Sequence, residues 1–538
     1  MWKILSSLLV AQSVIIPHGN ESSSVISRLQ NLKPTLDHIR QISGTAGTSI
    51  GVVHHGQIIH KDNLGYRDVA AEIVPDSQTL YGLGSLTKSL TAIGIANMVH
   101  EGLLSWDTPV KDVLQDFAHK DPCVAKLTTV VDLLAHRTGL AGDISLTFQG
   151  DGKALLPADQ LLPTFNQNDR VVPFRSEWVY NSWGYSIAGL IIEKLSGESL
   201  GSYLQKHVYN AFAMGNTTTQ FSSLHSNNVA EPYATDSNAT PVHLPSAMIF
   251  ENSLFEAAAG AYSTVDDMLN YSTALLEAYK NVHTSDKLQN LFSSHIPVLG
   301  PSFRERAYAM GWIRTQLPGA LGIMGENFDI IGEAEQLPEL GRGSPSMLCL
   351  YHQGSTAGYY SNIALFPETQ SAIVVLANSI SLTDLPDTIS QSIAQVLFDF
   401  VEPIDFVAFT KKTSAKLISQ YEQQAALIAT QRRSGTRDLP LESFAGRYWN
   451  SLKNFVLEIR VGAKNDALEL LFQSYESQLY HLRHLYEHTF EWSLSLDEEA
   501  KRGRYHITDA DYFLIHFSSH QKLVSGLVWA NYSFEKSA

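Results

Sequence analysis

The 538-residue sequence predicts an α+β fold joined to a small antiparallel β domain of barrel type. Three observations carry this reading. Strand-like runs stand at both ends of a helical middle section, so the two ends are expected to share one sheet. Beyond residue 440 the pattern changes to the strict alternation of half-buried strands. Between them, Gln431–Pro440, with Arg432, Arg433, Gly435 and Pro440, reads as a linker. The expected organisation is a leader or arm over 1–27, a main domain over 28–430, a linker over 431–440 and a β domain over 441–538.

The elements follow in order. Residues 1–27 are Ser-rich and lack a pattern. Ser49-Ile50-Gly51-Val52-Val53, the turn His55-Gly56 and a second apolar run predict a hairpin over Thr48–Asn63. Leu86 to about Leu104, with Leu90, Ile93, Met98 and few charges, has the composition of a helix buried on most sides. Thr129–His136 is a short amphipathic helix ending before Gly139, and Tyr185–Leu195 is a helix closed by Ser196-Gly197. Strands are expected at Met347–Tyr351, Ser361–Phe366 and Ala372–Ala377, and a helix from Pro403 to about Thr430. In the last section, Phe455, Leu457, Ile459 and Val461 share one face before a turn at Lys464-Asn465-Asp466. Phe490–Leu494, Tyr512–Phe517 and Leu523–Trp529 continue the series.

Composition excludes several function classes. A net charge of −16 and the lack of a basic stripe argue against nucleic-acid binding. No apolar run of about 18 residues predicts a membrane span. No Cys/His cluster has metal-ligand spacing. The two cysteines, Cys123 and Cys349, sit in apolar surroundings and read as buried structural thiols, their pairing left open. Met1-Trp2-Lys3 followed by Ile4–Ile16 has the outline of a signal peptide, interrupted by Ser6, Ser7, Gln12 and Ser13. Glycosylation sequons stand at Asn20, Asn216, Asn238, Asn270 and Asn531. No compartment is assigned.

The chemistry centres on Gly84-Ser85-Leu86-Thr87-Lys88. Positions three apart on a helix share a face, so the Ser85 hydroxyl and the Lys88 amine can meet. A hydroxyl becomes a nucleophile when a base removes its proton, and a desolvated lysine can be that base. A helix start also presents positive dipole to developing oxyanion charge. The pattern alone is common, and Ser519–Lys522 repeats it in a strand-like setting without helical geometry. Downstream, Tyr180-Asn181-Ser182 precedes a glycine-containing turn. His352-Gln353-Gly354-Ser355 ends a predicted strand, where Gly354 would let a substrate approach and the Ser355 amide could serve as an oxyanion donor.

Ser85-Leu86-Thr87-Lys88, Tyr180-Asn181-Ser182 and His352-Gln353-Gly354 resemble, in order and spacing, the three motifs of the serine β-lactamase and penicillin-binding-protein superfamily. Asp132-Leu133-Leu134-Ala135-His136-Arg137-Thr138-Gly139-Leu140, Gly260-Ala261-Tyr262-Ser263-Thr264 and Met310-Gly311-Trp312 are similar to its class C and esterase branch, and the wording as a whole is nearest to fungal members. The resemblance runs from about 28 to 400. It implies an α/β sandwich with an antiparallel sheet beside an all-helical subdomain, and a cleft between them. It implies that Ser85 is acylated, that Lys88 activates it, that Tyr180 relays protons, and that the amides of Ser85 and Ser355 form the oxyanion hole. Ser182, His352 and Gly354 would bind substrate, and the resemblance implies no metal or organic cofactor. The β domain resembles the lipocalin-like appendages of some members, which gate the cleft or build a homo-oligomer.

Two departures bear on substrate. The third motif of β-lactamases usually begins with Lys and here with His352; the second usually ends in Asn and here in Ser182. Both point away from β-lactams and peptidoglycan and toward a small-molecule ester or lactone. The alternatives are acyl transfer to an alcohol or amine in secondary metabolism, and hydrolysis of an amide as in D-aminopeptidase-like relatives. An inert binding protein is a further reading, against which the complete Ser85/Lys88/Tyr180 set argues.

Overall fold

The computed structural model describes residues 21–221, 228–245, 251–281, 286–300, 302–462 and 467–537. The first 20 residues of the expected leader, the turn Lys464-Asn465-Asp466 and the sequon at Asn20 lie outside these residues.

An eight-stranded antiparallel sheet organises the first part of the chain. Its strands are β1 (Gly47–His54), β2 (Gln57–Gly65), β3 (Ile296–Pro297), β4 (Arg306–Tyr308), β5 (Ile313–Leu317), β6 (Met347–Thr356), β7 (Tyr359–Phe366) and β8 (Ser371–Ala377), in the order β2-β1-β8-β7-β6-β5-β4-β3. The N-terminal hairpin joins the C-terminal strands through β1 and β8, with Thr48 opposite Ala377 and Val53 opposite Ala372. The two ends of this part share one sheet, as the strand signals at both ends predict.

Both faces of the sheet are covered, which is why β8 reads as an unbroken apolar run. Successive side chains point to opposite faces. Ile373 and Val375 enter the core shared with α1 (Glu21–Ser43), whose Leu29, Leu36 and Ile39 are buried. Val374 and Leu376 enter the opposite core, with Leu90 of α2 (Thr87–His100), Ile187 of α3 (Ser182–Ser196) and Val265 of α5 (Val265–Tyr279); the short α4 (Glu256–Ala259) lies just before α5. Residues 21–27, placed with the leader by sequence, form the first turns of α1. Two helices, α6 (Leu385–Leu397) and α7 (Phe406–Gln431), complete the α1 side.

Past α7 the chain forms a closed eight-stranded antiparallel barrel, β9 (Gly446–Trp449), β10 (Val456–Val461), β11 (Leu468–Phe472), β12 (Leu479–Tyr486), β13 (Thr489–Glu491), β14 (Leu514–His520), β15 (Leu523–Trp529) and β16 (Tyr532–Lys536). It closes where Tyr448 pairs with Lys536. Leu457, Ile459, Phe472, Tyr480, Phe490, Trp492, Phe517 and Trp529 are buried together, so aromatic side chains fill the interior. The β13–β14 connection carries a helix that sequence alternation did not reveal, α8 (Leu496–Arg502), started by a capping box between Ser495 and Glu498. This connection reaches back to the sheet-bearing part. Arg502 grips Asp151 at 2.7 and 3.0 Å, buried Arg504 donates to the Gln149 carbonyl at 2.8 Å, and His506 Nδ1 lies 2.8 Å from Glu326 Oε1.

Cys123 and Cys349 are both free, Cys349 buried and Cys123 half-buried. Among the described residues, no helix is long and apolar enough to cross a membrane.

Candidate active site

Ser85 lies in a 3₁₀ turn, Gly84–Leu86, that runs directly into α2. The helix starts two residues after Ser85 rather than at it, and it ends at His100, four residues before Leu104, in a turn where Gly102 has φ +75°. Gly84 also sits at a positive φ, +51°, and a Cβ there would lie 2.5 Å from the Ser355 carbonyl oxygen. Glycine therefore serves two purposes at this position: it permits the left-handed turn, and it lets the Ser85 turn press against β6. The turn is fastened from three sides. Thr87 Oγ1 donates to the Gly84 carbonyl (2.7 Å) and accepts from the Ala261 amide (3.0 Å). The Leu83 amide donates to the Ala261 carbonyl (2.8 Å), and Ser361 Oγ on β7 donates to the Leu83 carbonyl (2.8 Å).

Lys88 Nζ lies 3.0 Å from Ser85 Oγ and donates to the Ala258 carbonyl at 3.1 Å. The residue is fully buried, and among the described residues no carboxylate lies within ion-pair distance of it. Its surroundings are the rings of Tyr180 and Tyr185, 4.9 and 5.7 Å from Nζ. Burial without a counter-ion lowers the amine from 10.5 to about 7. A neutral amine of this kind keeps an N–H for the Ala258 carbonyl and a lone pair for the proton of Ser85.

Tyr180 Oη donates to the same Ser85 Oγ at 2.8 Å. Burial pushes the phenol up, outweighing the opposing pull of the Ser85 and Ser182 hydroxyls, so it stands protonated. Tyr180 belongs to an extended stretch before α3, held by an ionic anchor at its start. Asp132, wholly buried, accepts from Arg137 Nε (2.6 Å) and from Arg175 Nε and Nη2 (2.8 and 2.6 Å), and also from the Thr129 amide (2.8 Å). Burial opposes its ionisation, but these donors outweigh it and hold the carboxyl below its usual range. At the other end the Gly142 backbone packs on the Tyr180 carbonyl, where a Cβ would meet the oxygen at 2.0 Å.

The third motif does not end a strand, as its sequence suggests; β6 continues through it to Thr356. Pairing with β5 stops at Tyr351, whereas pairing with β7 runs from Leu350 to Thr356, which carries Gly354 and Ser355 out beside the Ser85 turn. A Cβ on Gly354 would lie 2.1 Å from the Leu83 carbonyl and 3.1 Å from the Ser85 amide nitrogen, so only glycine allows this approach. Ser355 is exposed. His352, expected to bind substrate, is buried between neighbours. Its Nδ1 lies 2.5 Å from the Gln353 carbonyl and must carry the proton, and its Nε2 accepts from the Tyr308 hydroxyl at 3.1 Å. Burial, then the nearby Lys88 charge, lowers it to about 3. Both nitrogens are engaged inside the protein, so the imidazole has no free polar atom to offer a substrate in this arrangement. Ser182, the first residue of α3, lies beside the Tyr180 hydroxyl.

Two residues around this group carried no predicted role. Tyr308 bridges His352 and the ring of His136, whose centroid is 4.7 Å away, and no sequence signal points to it beyond its place just before Met310-Gly311-Trp312. His136 stands in the Asp132–Leu140 stretch. Its ring is 4.5 Å from that of Tyr180, and its φ is +57°.

The arrangement can deprotonate the Ser85 alcohol and deliver a proton from a phenol to the same place. Comparison with known proteins agrees in kind. A family model described as Beta-lactamase matches residues 34–397. The chain is 22% identical over 424 residues to the unguisins hydrolase ungD of Aspergillus violaceofuscus, covering 72% of this chain and 69% of that protein. It is 22% identical over 381 residues to penicillin-binding protein 4* of Bacillus subtilis, covering 69% and 75%. The octameric penicillin-binding protein homologue from Pyrococcus abyssi superposes with a TM-score of 0.56 at 22% identity, over 95% of this chain and 100% of that one, and so has the same fold.

Proposed function

Since the chain belongs to the β-lactamase family of serine hydrolases, we propose that it cleaves an ester or lactone through an acyl-Ser85 intermediate. Neutral Lys88 takes the Ser85 proton as Oγ attacks the substrate carbonyl. The amides of Ser85 and Ser355 hold the oxyanion. Tyr180 hands its proton to the departing alcohol and recovers one from the water that releases the acyl group, while Lys88 returns its proton to Ser85 Oγ. The observation that carries the reading is the convergence of Lys88 Nζ and Tyr180 Oη on one oxygen, with the amine buried and without a carboxylate partner among the described residues.

The choice of ester or lactone rests on the third motif. A lysine there would offer a charge to a substrate carboxylate; His352 is neutral and satisfied internally. Amide hydrolysis is the second reading. It is favoured by the penicillin-binding protein among the relatives, since penicillin is a cyclic amide. Self-association into a homo-oligomer belongs to the same proposal, and the mass in solution by light scattering decides it.

The test is a panel of p-nitrophenyl esters, lactones and D-amino-acid amides, followed by intact-mass and peptide analysis. The expected result is turnover of an ester or lactone with an acyl adduct on Ser85, absent in Ser85→Ala. Adduct formation elsewhere, or parental turnover by Ser85→Ala, would overturn the proposal; amides alone as substrates would select the second reading.

A further inference from the structure

Tyr180 is flanked by two backbone amides that both end on one residue. The Val179 amide donates to the His136 carbonyl at 3.0 Å, and the Asn181 amide donates to His136 Nδ1 at 3.1 Å. Between these two bonds the Tyr180 ring lies against the His136 ring, with centroids 4.5 Å apart. The phenol is thus held before, behind and across its face by a single side chain and its own carbonyl. We propose that His136 is the positioning residue for Tyr180, fixing the phenol on Ser85 by clamping the peptide on either side of it.

The imidazole's protonation follows from this geometry. Nδ1 accepts a backbone N–H, so its lone pair is free of a proton and the neutral ring carries hydrogen on Nε2. That Nε2 is buried and has no hydrogen-bonding partner among the described residues. Burial, then the charges of Lys88 and His352, disfavours a second proton. An unpaired buried N–H is a cost no residue needs for packing alone; an apolar side chain of similar shape would avoid it. The left-handed backbone at His136 is one that Gly and Asn also adopt. The unpaired N–H is explained if the ring is retained for its Nδ1 acceptor and its face.

This inference rests on the role proposed for Tyr180, and the test separates the two. Asparagine accepts the left-handed backbone and places a carbonyl oxygen near the position of Nδ1; glycine accepts the backbone and provides nothing. In His136→Gly, kcat for the best ester should fall by about 10²-fold, as for a misplaced reacting group, with KM changed far less, and His136→Asn should recover most of the loss. In a Tyr180→Phe background, His136→Gly should cost nothing further. A readout free of activity is the ¹³Cζ resonance of Tyr180, assigned by its loss in Tyr180→Phe. It should move in His136→Gly and return in His136→Asn. An unmoved resonance, or a loss that adds in full to that of Tyr180→Phe, overturns the clamp. Parental turnover by Tyr180→Phe overturns the role of the phenol instead, and the resonance then judges the clamp alone.

Discussion

Lys88 and Tyr180 share a single target: the amine at 3.0 Å and the phenol at 2.8 Å meet at Ser85 Oγ, the phenol from 95 residues further along the chain. Their environments push them to complementary states, the amine down to about 7 and the phenol up. A base that is free near neutral pH thus stands beside an acid that stays protonated.

The first prediction concerns pH. Lys88 serves as base only when neutral, so below about 7 each unit of pH should lower kcat/KM about tenfold. Above 7 the rate should level. A pH–rate profile with no inflection between about 6 and 8 contradicts the assignment. Lys88→Arg, charged at all these values, should be inactive throughout.

Replacing the same lysine should strengthen the fold. Its folded-state value, about 7, lies below its free value of 10.5, so between the two the unfolded chain holds a proton that the folded one lacks. Stability therefore rises with pH across that window, and the penalty is full below about 7. Lys88→Met should gain on the order of 1–4 kcal/mol at pH 6.5, with the gain shrinking toward pH 10. Urea unfolding at the two ends of this range measures it; a methionine variant no more stable at pH 6.5 contradicts it.

Asp132 presents the opposite sign. Its carboxyl is held low in the folded state, so its contribution is present above the usual carboxylate range and is lost as pH falls through the depressed value. Asp132→Ala should destabilise by about 1–3 kcal/mol, because the Thr129 amide loses its buried acceptor and the partly exposed Arg137 and Arg175 lose the carboxylate they share. Thermal unfolding of the variant checks the magnitude. Because the pair anchors the stretch leading to Tyr180, acylation by a fluorophosphonate probe should slow as well, and an unchanged labelling rate would separate the anchor from the site.

Gly354→Ala should damage the reaction while sparing most of the stability. The added methyl meets the Leu83 carbonyl and Ser361 Oγ, the second at 2.4 Å, and must push β6 away from the Ser85 turn. A displacement of this order costs about 10²-fold in kcat. Burst kinetics with a chromogenic ester would locate the loss in acylation, and full activity would show that the turn can yield.

The legible and illegible parts of the site divide along physical lines. Three residues of helical spacing sufficed to bring Lys88 to Ser85, because that contact is local. The alternation from Phe455 to Val461 announced barrel strands, because one face is buried and the other wet. The helix Glu21–Ser43 was missed: its fully buried apolar residues among those described, Leu29, Leu36 and Ile39, form a narrow stripe, and it carries Pro34 inside. The helix Leu496–Arg502 interrupts a strand series, although Ser495 and Glu498 spell a capping box that could have revealed it. His352 and Tyr308 meet through strand pairing between distant segments, which no spacing in sequence encodes.

The pairing of Thr48 with Ala377 has a consequence for synthesis. As the chain leaves the ribosome, the β1–β2 hairpin emerges early, yet the inner edge of β1 stays open until β8 is made. For most of that time the nascent chain carries an unpaired apolar strand, the kind of edge on which other chains nucleate aggregates. Closure of the sheet is also a contact of very high sequence separation, which slows folding. Recombinant production should therefore improve with slowed translation and chaperone supply more than with changes to the barrel.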